Sequence, residues 1–402
     1  MEKNIAVALQ VKAISVAMVW TIILGGCGAA PAEDNKSTDI RPDRVTILEG
    51  LAHPWSMAFL TGSDVLVAEK DGGLKRIDLE RGTQRTIAGL PTDRVDDVRR
   101  QDPRDNAGLF DILTDPGYPR DPWIYLAYAA SGDGGTTTKV IRGWLKNDSL
   151  INVQPLLVAE PYSPDRFHYG GGMVFGNDGK LYITVGERYY NEIDQPEMPV
   201  AQDPTDRRGM IYRINKDGSI PDDNPDFGED AVAGAYAIGI RAAQGMTLHP
   251  ESGDIWFSEH GSLQGDEINV LRGGANYGWP IITTGNYRNP EYVPPSLDRQ
   301  YTAPVWAWEE TVAPTGLTFY QGEEFPAWKG SLFVAGLSRG SLWRLTVKDN
   351  TVSKAEKLFE DDPVRLRKVV QSPEGRLYLL TDEENGRVMQ IIPAVASDAS
   401  HE

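Results

Sequence analysis

The stretch GGMVFGNDGKLYITVGER (171–188) decides the fold of this 402-residue chain. Glycines lead into an apolar strand, an Asn-Asp-Gly turn reverses the chain, and KLYITVG follows with β-branched and aromatic residues in alternation. That pattern is a β-strand signature. The same unit recurs at irregular intervals of roughly sixty residues, a spacing suited to propeller blades. The other copies are WSMAFLTGSDVLVAEKDGGLKRID (55–78), AGLFDILTDPGYPRDPWIYLAYA (107–129), QGMTLHPESGDIWFSEHG (244–261), TGLTFYQGEEFPAWKGSLFVAGLSRGSLWRL (315–345) and LRKVVQSPEGRLYLLTDEENGRVMQI (366–391). No segment carries a sustained helical period. A β-sandwich pair is the alternative, but six copies fit a closed ring better. The expectation is an all-β, six-bladed β-propeller over 44–393. A ring leaves a funnel at one face, where the loops between strands meet.

The N-terminus reads differently. MEKNIAVALQVK carries Lys3 and Lys12, an apolar run follows (13–24), and Leu24-Gly25-Gly26-Cys27 closes it. A basic segment, a short apolar core and small residues form an export signal, and the run is short for a membrane span. Cys27 is the only cysteine and stands where a lipobox places its lipidated residue. Residues 1–27 are thus expected to be a lipoprotein signal. Gly28 in the next position implies the outer membrane of a Gram-negative host, facing the periplasm. The small and polar 28–43 reads as a flexible tether and 394–402 as a disordered tail. The net charge of −18 argues against nucleic acid or an anionic membrane face as partner. The membrane is then reached only through the lipid anchor.

Three further segments carry chemistry. In EHGSLQGDEINVLRGGANYGWP (259–280), a strand runs into a loop presenting Asp266, Glu267 and Asn269. Such oxygen-rich loops suit hard divalent cations. His168, in RFHYGG, precedes the third repeat's first strand, and a neutral imidazole there can take a proton from a hydroxyl. Arg365 and Arg367 stand at alternate positions of VRLRKVV, so both guanidiniums can meet one anion. GLSRG (336–340) matches the nucleophile-elbow pattern, but strands flank it on both sides, which argues against a hydrolase. No zinc, P-loop or dinucleotide motif is present.

Taken in order, these segments resemble the pyrroloquinoline quinone (PQQ)-dependent aldose sugar dehydrogenases of the glucose/sorbosone dehydrogenase family. The resemblance covers nearly all of the chain after about Val45. It implies oxidation of an aldose at its anomeric carbon to a lactone, with PQQ and Ca²⁺ as cofactors and electrons passed to an external acceptor. It makes His168 the general base and puts Glu187 where an Asp usually orients that base. It sets Arg241 at the quinone oxygens, and assigns Asn106, Gln244, Thr311, Arg365 and Arg367 to the cofactor. The carbonyls of Gly261 and Ser262 become the Ca²⁺ ligands. A second, structural Ca²⁺ is suggested at Asp217, Asp222, Asp223 and Asn224, where Asp-Gly turn chemistry is the competing account.

The chain departs from the family pattern at Gly172 and Ser338, where Arg and Lys are usual, and at Ala242 and Glu187. Losing such groups also suits another class of protein, a lipid-anchored propeller that binds a glycan or a protein partner. Sequence alone does not name the sugar, the acceptor or the oligomeric state.

Overall fold

The computed structural model describes residues 40–97, 105–188 and 198–394. The expected signal segment with Cys27, most of the tether and nearly all of the tail lie outside the described residues. Six four-stranded antiparallel sheets follow one another along the chain. Their innermost strands are Pro54–Thr61, Leu109–Thr114, Gly170–Phe175, Ala243–Leu248, Pro314–Phe319 and Leu366–Gln371. These are blades 1 to 6 of the expected propeller. Each repeat read from sequence held the inner two or three strands; the outer strand of each blade lies outside the repeat and was not apparent. Blade 6 takes its outer strand from the other end of the chain. Pro42–Leu51 pairs antiparallel with Gly386–Pro393, Val45 facing Gln390, and this closes the ring. Pro42 and Asp43, expected in the tether, already belong to that strand.

Packing explains the ring. Among the described residues, each large apolar cluster joins at least two neighbouring blades. Met57 and Val65 of blade 1 meet Leu380 and Val388 of blade 6, for example. Tyr182 and Ile211 of blade 3 meet Met246 and Phe257 of blade 4 in the same way. Both faces of each sheet are therefore covered. All five residues of Leu181–Val185 are buried, so the alternation in that strand sorts side chains between two interfaces rather than between core and water. Near the axis, Asp111 of blade 2 accepts hydrogen bonds from Ser56 of blade 1, the Met173 amide of blade 3 and, at 2.9 Å, Lys368 Nζ of blade 6. One buried carboxylate thus ties four blades, with every partner satisfied as burial demands.

Candidate active site

In an antiparallel blade, the start of the inner strand and the end of the second strand lie at the same end. Nearly all of the expected site residues occupy those two positions. Asn106, His168, Arg241, Thr311 and Arg365 precede the inner strands of blades 2 to 6, Gln244 and Arg367 lie at the start of theirs, Glu187 follows the second strand of blade 3, and Gly261 and Ser262 follow that of blade 4. The fold therefore gathers on one rim what is scattered over more than 250 residues of sequence.

A recess near the axis is lined by Asn106, His168, Gln244 and Arg367, with Trp55, Phe110 and Tyr169. The aromatic rings form a tilted series, 5.9 Å from Trp55 to Phe110 and 5.2 Å from Phe110 to Tyr169. His168 Nδ1 lies 2.7 Å from Glu187 Oε1, and Glu187 is fully buried. The extra methylene of Glu187 thus still reaches the imidazole. Gly186 permits the approach, since a Cβ there would lie 2.0 Å from the His168 carbonyl. Gly172 has a similar reason: a Cβ would lie 2.7 Å from the Gln244 carbonyl, so the usual Arg has no room.

Arg365 and Arg367 do converge on one anion, and it is Asp382. Its Oδ2 accepts from Arg365 Nε at 2.9 Å and from Arg367 Nη2 at 2.8 Å. Burial alone would push the Asp382 carboxyl up, but Arg367, His53, Lys70 and Arg365 hold it well below the usual carboxylate range. Arg367 also donates to Gln244 Oε1 at 2.7 Å. Sequence reading missed Asp382, although the signal was present. The second strands of blades 1, 3, 4 and 6 are each followed or ended by a buried carboxylate: Glu69, Glu187, Glu259 and Asp382.

Beside the axis, Arg241, Glu259, His260, Gly261, Glu267 and Trp279 line a second recess. Arg241 Nη1 donates to the His260 carbonyl at 3.3 Å, and its guanidinium lies 5.0 Å from the Trp279 ring. Burial pushes the His260 imidazole down to about 4 against the pull of Asp266, with Arg241, Arg367 and His168 adding to the effect. Burial and then Glu267 raise the Glu259 carboxyl, and burial raises Glu267 to about 7. His260 and Glu259 were not picked out from sequence as functional. Asp266 serves the loop, accepting from the amides of Gly261, Val312 and Ala313. Thr311 Oγ1 donates to the Leu263 carbonyl.

The donor set fits the implied groups. PQQ carries three carboxylates, and Arg367, Gln244 and Asn106 line the central recess. For a divalent cation, Glu259 Oε2 is a buried oxygen with no hydrogen-bond partner, in the same recess as Gly261. The Ser262 carbonyl already accepts from Arg288 Nε at 3.0 Å, so a cation there shares that oxygen. Three of the four residues suggested for a second Ca²⁺ are otherwise engaged: Asp223 and Asn224 bind Arg213, and Asp217 closes a turn onto Ser219. At another departure, Ser338 lies in a 3₁₀ turn rather than a strand. Arg339 points outward, 3.4 Å from Glu310. That turn leads into another strand, not the helix a nucleophile elbow requires.

The Glucose / Sorbosone dehydrogenase family model matches residues 51–390. The chain is 32% identical to Aldose sugar dehydrogenase YliI of Escherichia coli (strain K12), over 91% of this chain and 94% of the relative. It is 26% identical to Quinoprotein glucose dehydrogenase B of Acinetobacter calcoaceticus, covering 88% of each. The apo crystal structure of the soluble aldose sugar dehydrogenase from Escherichia coli superposes with a TM-score of 0.78 at 30% identity, over 88% of this chain and all of that one.

Proposed function

The chain belongs to the glucose/sorbosone dehydrogenase family, and from that premise we propose that it oxidises an aldose at the anomeric carbon to a lactone. PQQ and Ca²⁺ are the cofactors in this reading, and an external acceptor removes the electrons. The observation that carries it is the 2.7 Å contact of His168 with Glu187 on the recess that Arg367 and Gln244 also line. The E. coli relative is by name an aldose sugar dehydrogenase and the A. calcoaceticus relative a quinoprotein, which supports the substrate class and the cofactor.

With Nδ1 committed to Glu187, the Nδ1–H tautomer is favoured and Nε2 is the basic atom. Nε2 takes the proton of the anomeric hydroxyl as the carbonyl forms. Glu187 steadies the resulting imidazolium and fixes the ring's orientation. PQQ with Ca²⁺, when bound, would supply the hydride-accepting chemistry. Arg241, which lines the recess beside Gly261, would offer positive charge toward the quinone oxygens. Arg367, Arg365, Gln244, Asn106 and Thr311 would hold the cofactor, and the Gly261 and Ser262 carbonyls would hold the metal. The aromatic series excludes water from one side of the recess. Two departures that motivated a non-catalytic propeller, Glu187 and Gly172, have packing explanations in this site, which favours the enzyme.

Reconstitution tests the reading. Purified protein is titrated with PQQ and Ca²⁺, then offered a panel of aldoses while quinone absorbance and dye reduction are followed. Absence of both signals with every aldose overturns it. We also propose that the exported chain is lipidated at Cys27 and held at the outer membrane, facing the periplasm. Cys27→Ser should release it from the membrane fraction or stall its processing. Unchanged fractionation, with an unmodified N-terminal peptide by mass spectrometry, rejects the anchor.

A further inference from the structure

The geometry points to Arg188 as a positioning residue for the His168 base: with its neighbour Glu187 it forms a two-point clamp on the loop that carries the imidazole. The inference rests on the proposed role of His168.

Arg188 is almost wholly buried, and among the described residues its acceptors are backbone carbonyls and a threonine hydroxyl. Its Nε donates to the Phe167 carbonyl at 3.0 Å, immediately before His168. Nη2 reaches the Asp165 carbonyl and, at 3.1 Å, Thr136 Oγ1, and Nη1 reaches the Thr136 carbonyl at 2.9 Å. The guanidinium stacks on Tyr169, immediately after His168, with its carbon 3.6 Å from the ring centroid. Tyr169 OH in turn lies 2.6 Å from Thr136 Oγ1. Arg188 thus grips both sides of His168 through backbone and ring, while Glu187 takes the imidazole itself.

Backbone conformation agrees. His168 and Arg188 both adopt left-handed φ values, 48° and 67°. Residues other than glycine persist in that region when surrounding contacts fix them. Here the clamp supplies those contacts. A planar fork with several donors suits the task, because one rigid group spans several acceptors at fixed separations; a lysine ammonium has neither the shape nor the number of donors.

Cofactor-free, ¹⁵N-labelled protein gives a readout independent of turnover. The His168 Nδ1–H resonance, assigned by its loss in His168→Gln, should be a sharp, downfield, slowly exchanging signal. In Arg188→Met it should broaden or vanish. In enzyme loaded with PQQ, kcat should fall about 10- to 100-fold, the scale of a base displaced by a fraction of an ångström to an ångström. KM and PQQ affinity should move less than about threefold. Arg188→Lys should recover only a minor part of both signals. A folded Arg188→Met that keeps the resonance and its kcat within about twofold overturns the inference. So does full rescue by Lys, since charge alone would then suffice. If the Arg188 variants do not fold, Thr136→Val removes one acceptor, and an unchanged His168 resonance in it also overturns the clamp. Failure of the wild type to oxidise any sugar defeats the functional reading instead, and the imidazole signal still decides whether Arg188 holds the ring.

Discussion

Blades 3 and 6 place a carboxylate at the same slot, just past the second strand, and use it in opposite ways. In blade 3, Glu187 meets an imidazole 2.7 Å away and leaves that ring able to gain a proton. In blade 6, Asp382 meets two arginines that do not titrate near neutrality and becomes a permanent counter-charge. One fold position thus serves proton transfer or anion recognition according to its partner. The lengths are complementary. A long carboxylate faces a short imidazole in one blade, and a short carboxylate faces long guanidiniums in the other. The slot is a property of the fold, and the partner sets the chemistry.

The sharpest way to break this contrast is to remove the titrating partner. His168→Gln should lower kcat by about 10²–10⁴-fold, because general-base catalysis is lost. PQQ affinity, measured by calorimetry, should stay nearly constant, since blade 6 is untouched. A variant that keeps most of its turnover while loaded with PQQ removes blade 3 from the chemistry.

The matching change in blade 6 should read out as stability. Asp382→Ala leaves Arg367 buried without its carboxylate, which costs about 3–5 kcal/mol for a broken buried pair. Denaturant unfolding measures it. The pH dependence has a fixed sign. Asp382 is depressed in the folded state, so its contribution is complete above the unfolded carboxyl pKa of about 3.9 and is lost as pH falls through the lower folded value. The gap between wild type and variant should therefore be flat from neutrality to about pH 4 and close below it. A gap already absent at neutral pH means that the arginines are held by other groups.

How much of this contrast was legible in the sequence follows from locality. The blades were visible because each repeat signals its own strands within a few residues, as KLYITVG does. Ring closure was not visible, since the partner of strand 42–51 is 386–393, at the far end of the chain. The His168–Glu187 pair and the two arginines were reachable through their motifs. Asp382 was not, because TDEENG looks like an acidic turn and its function depends on arginines placed by another strand. Comparing the blades with one another exposes it, since Glu69, Glu187, Glu259 and Asp382 share one slot. His260 stayed hidden for a different reason: its state is set by burial and by charges from blades 3, 4 and 6.

Cofactor affinity sharpens the blade 6 side. Asp382 already engages both arginines, and Ser338 adds no charge nearby, with Arg339 turned out to Glu310. Ser338→Lys should tighten PQQ by one charge-assisted contact, about 1.5–3 kcal/mol, or roughly ten- to hundredfold in Kd. Arg367→Ala should loosen it more than Arg365→Ala, because Arg365 is half exposed and its charge is screened by water. Calorimetric titration with PQQ in millimolar Ca²⁺ orders the three variants. If neither the wild type nor Ser338→Lys binds PQQ, the glycan- or protein-binding propeller replaces the enzyme.

The smallest expected effect tests the matching of lengths directly. Glu187→Asp installs the residue usual in the family, and a sequence comparison alone would expect it to be neutral or beneficial. The geometry here predicts the opposite. Glu187 reaches His168 at 2.7 Å from a fully buried position. Removing that methylene lengthens the contact unless the loop follows, and Arg188 holds the flanking Phe167 carbonyl in place. Weakening a charge-assisted hydrogen bond without breaking it costs on the order of 1 kcal/mol, so kcat should fall about fivefold. KM for the sugar should scarcely change, because the lost interaction strengthens only as His168 gains its proton. Combining Glu187→Asp with Thr136→Val loosens the Arg188 clamp as well as shortening the reach, so kcat should fall further than in Glu187→Asp alone. A single variant as fast as wild type would show that the loop already adapts, and that the length difference between blades 3 and 6 carries no functional weight.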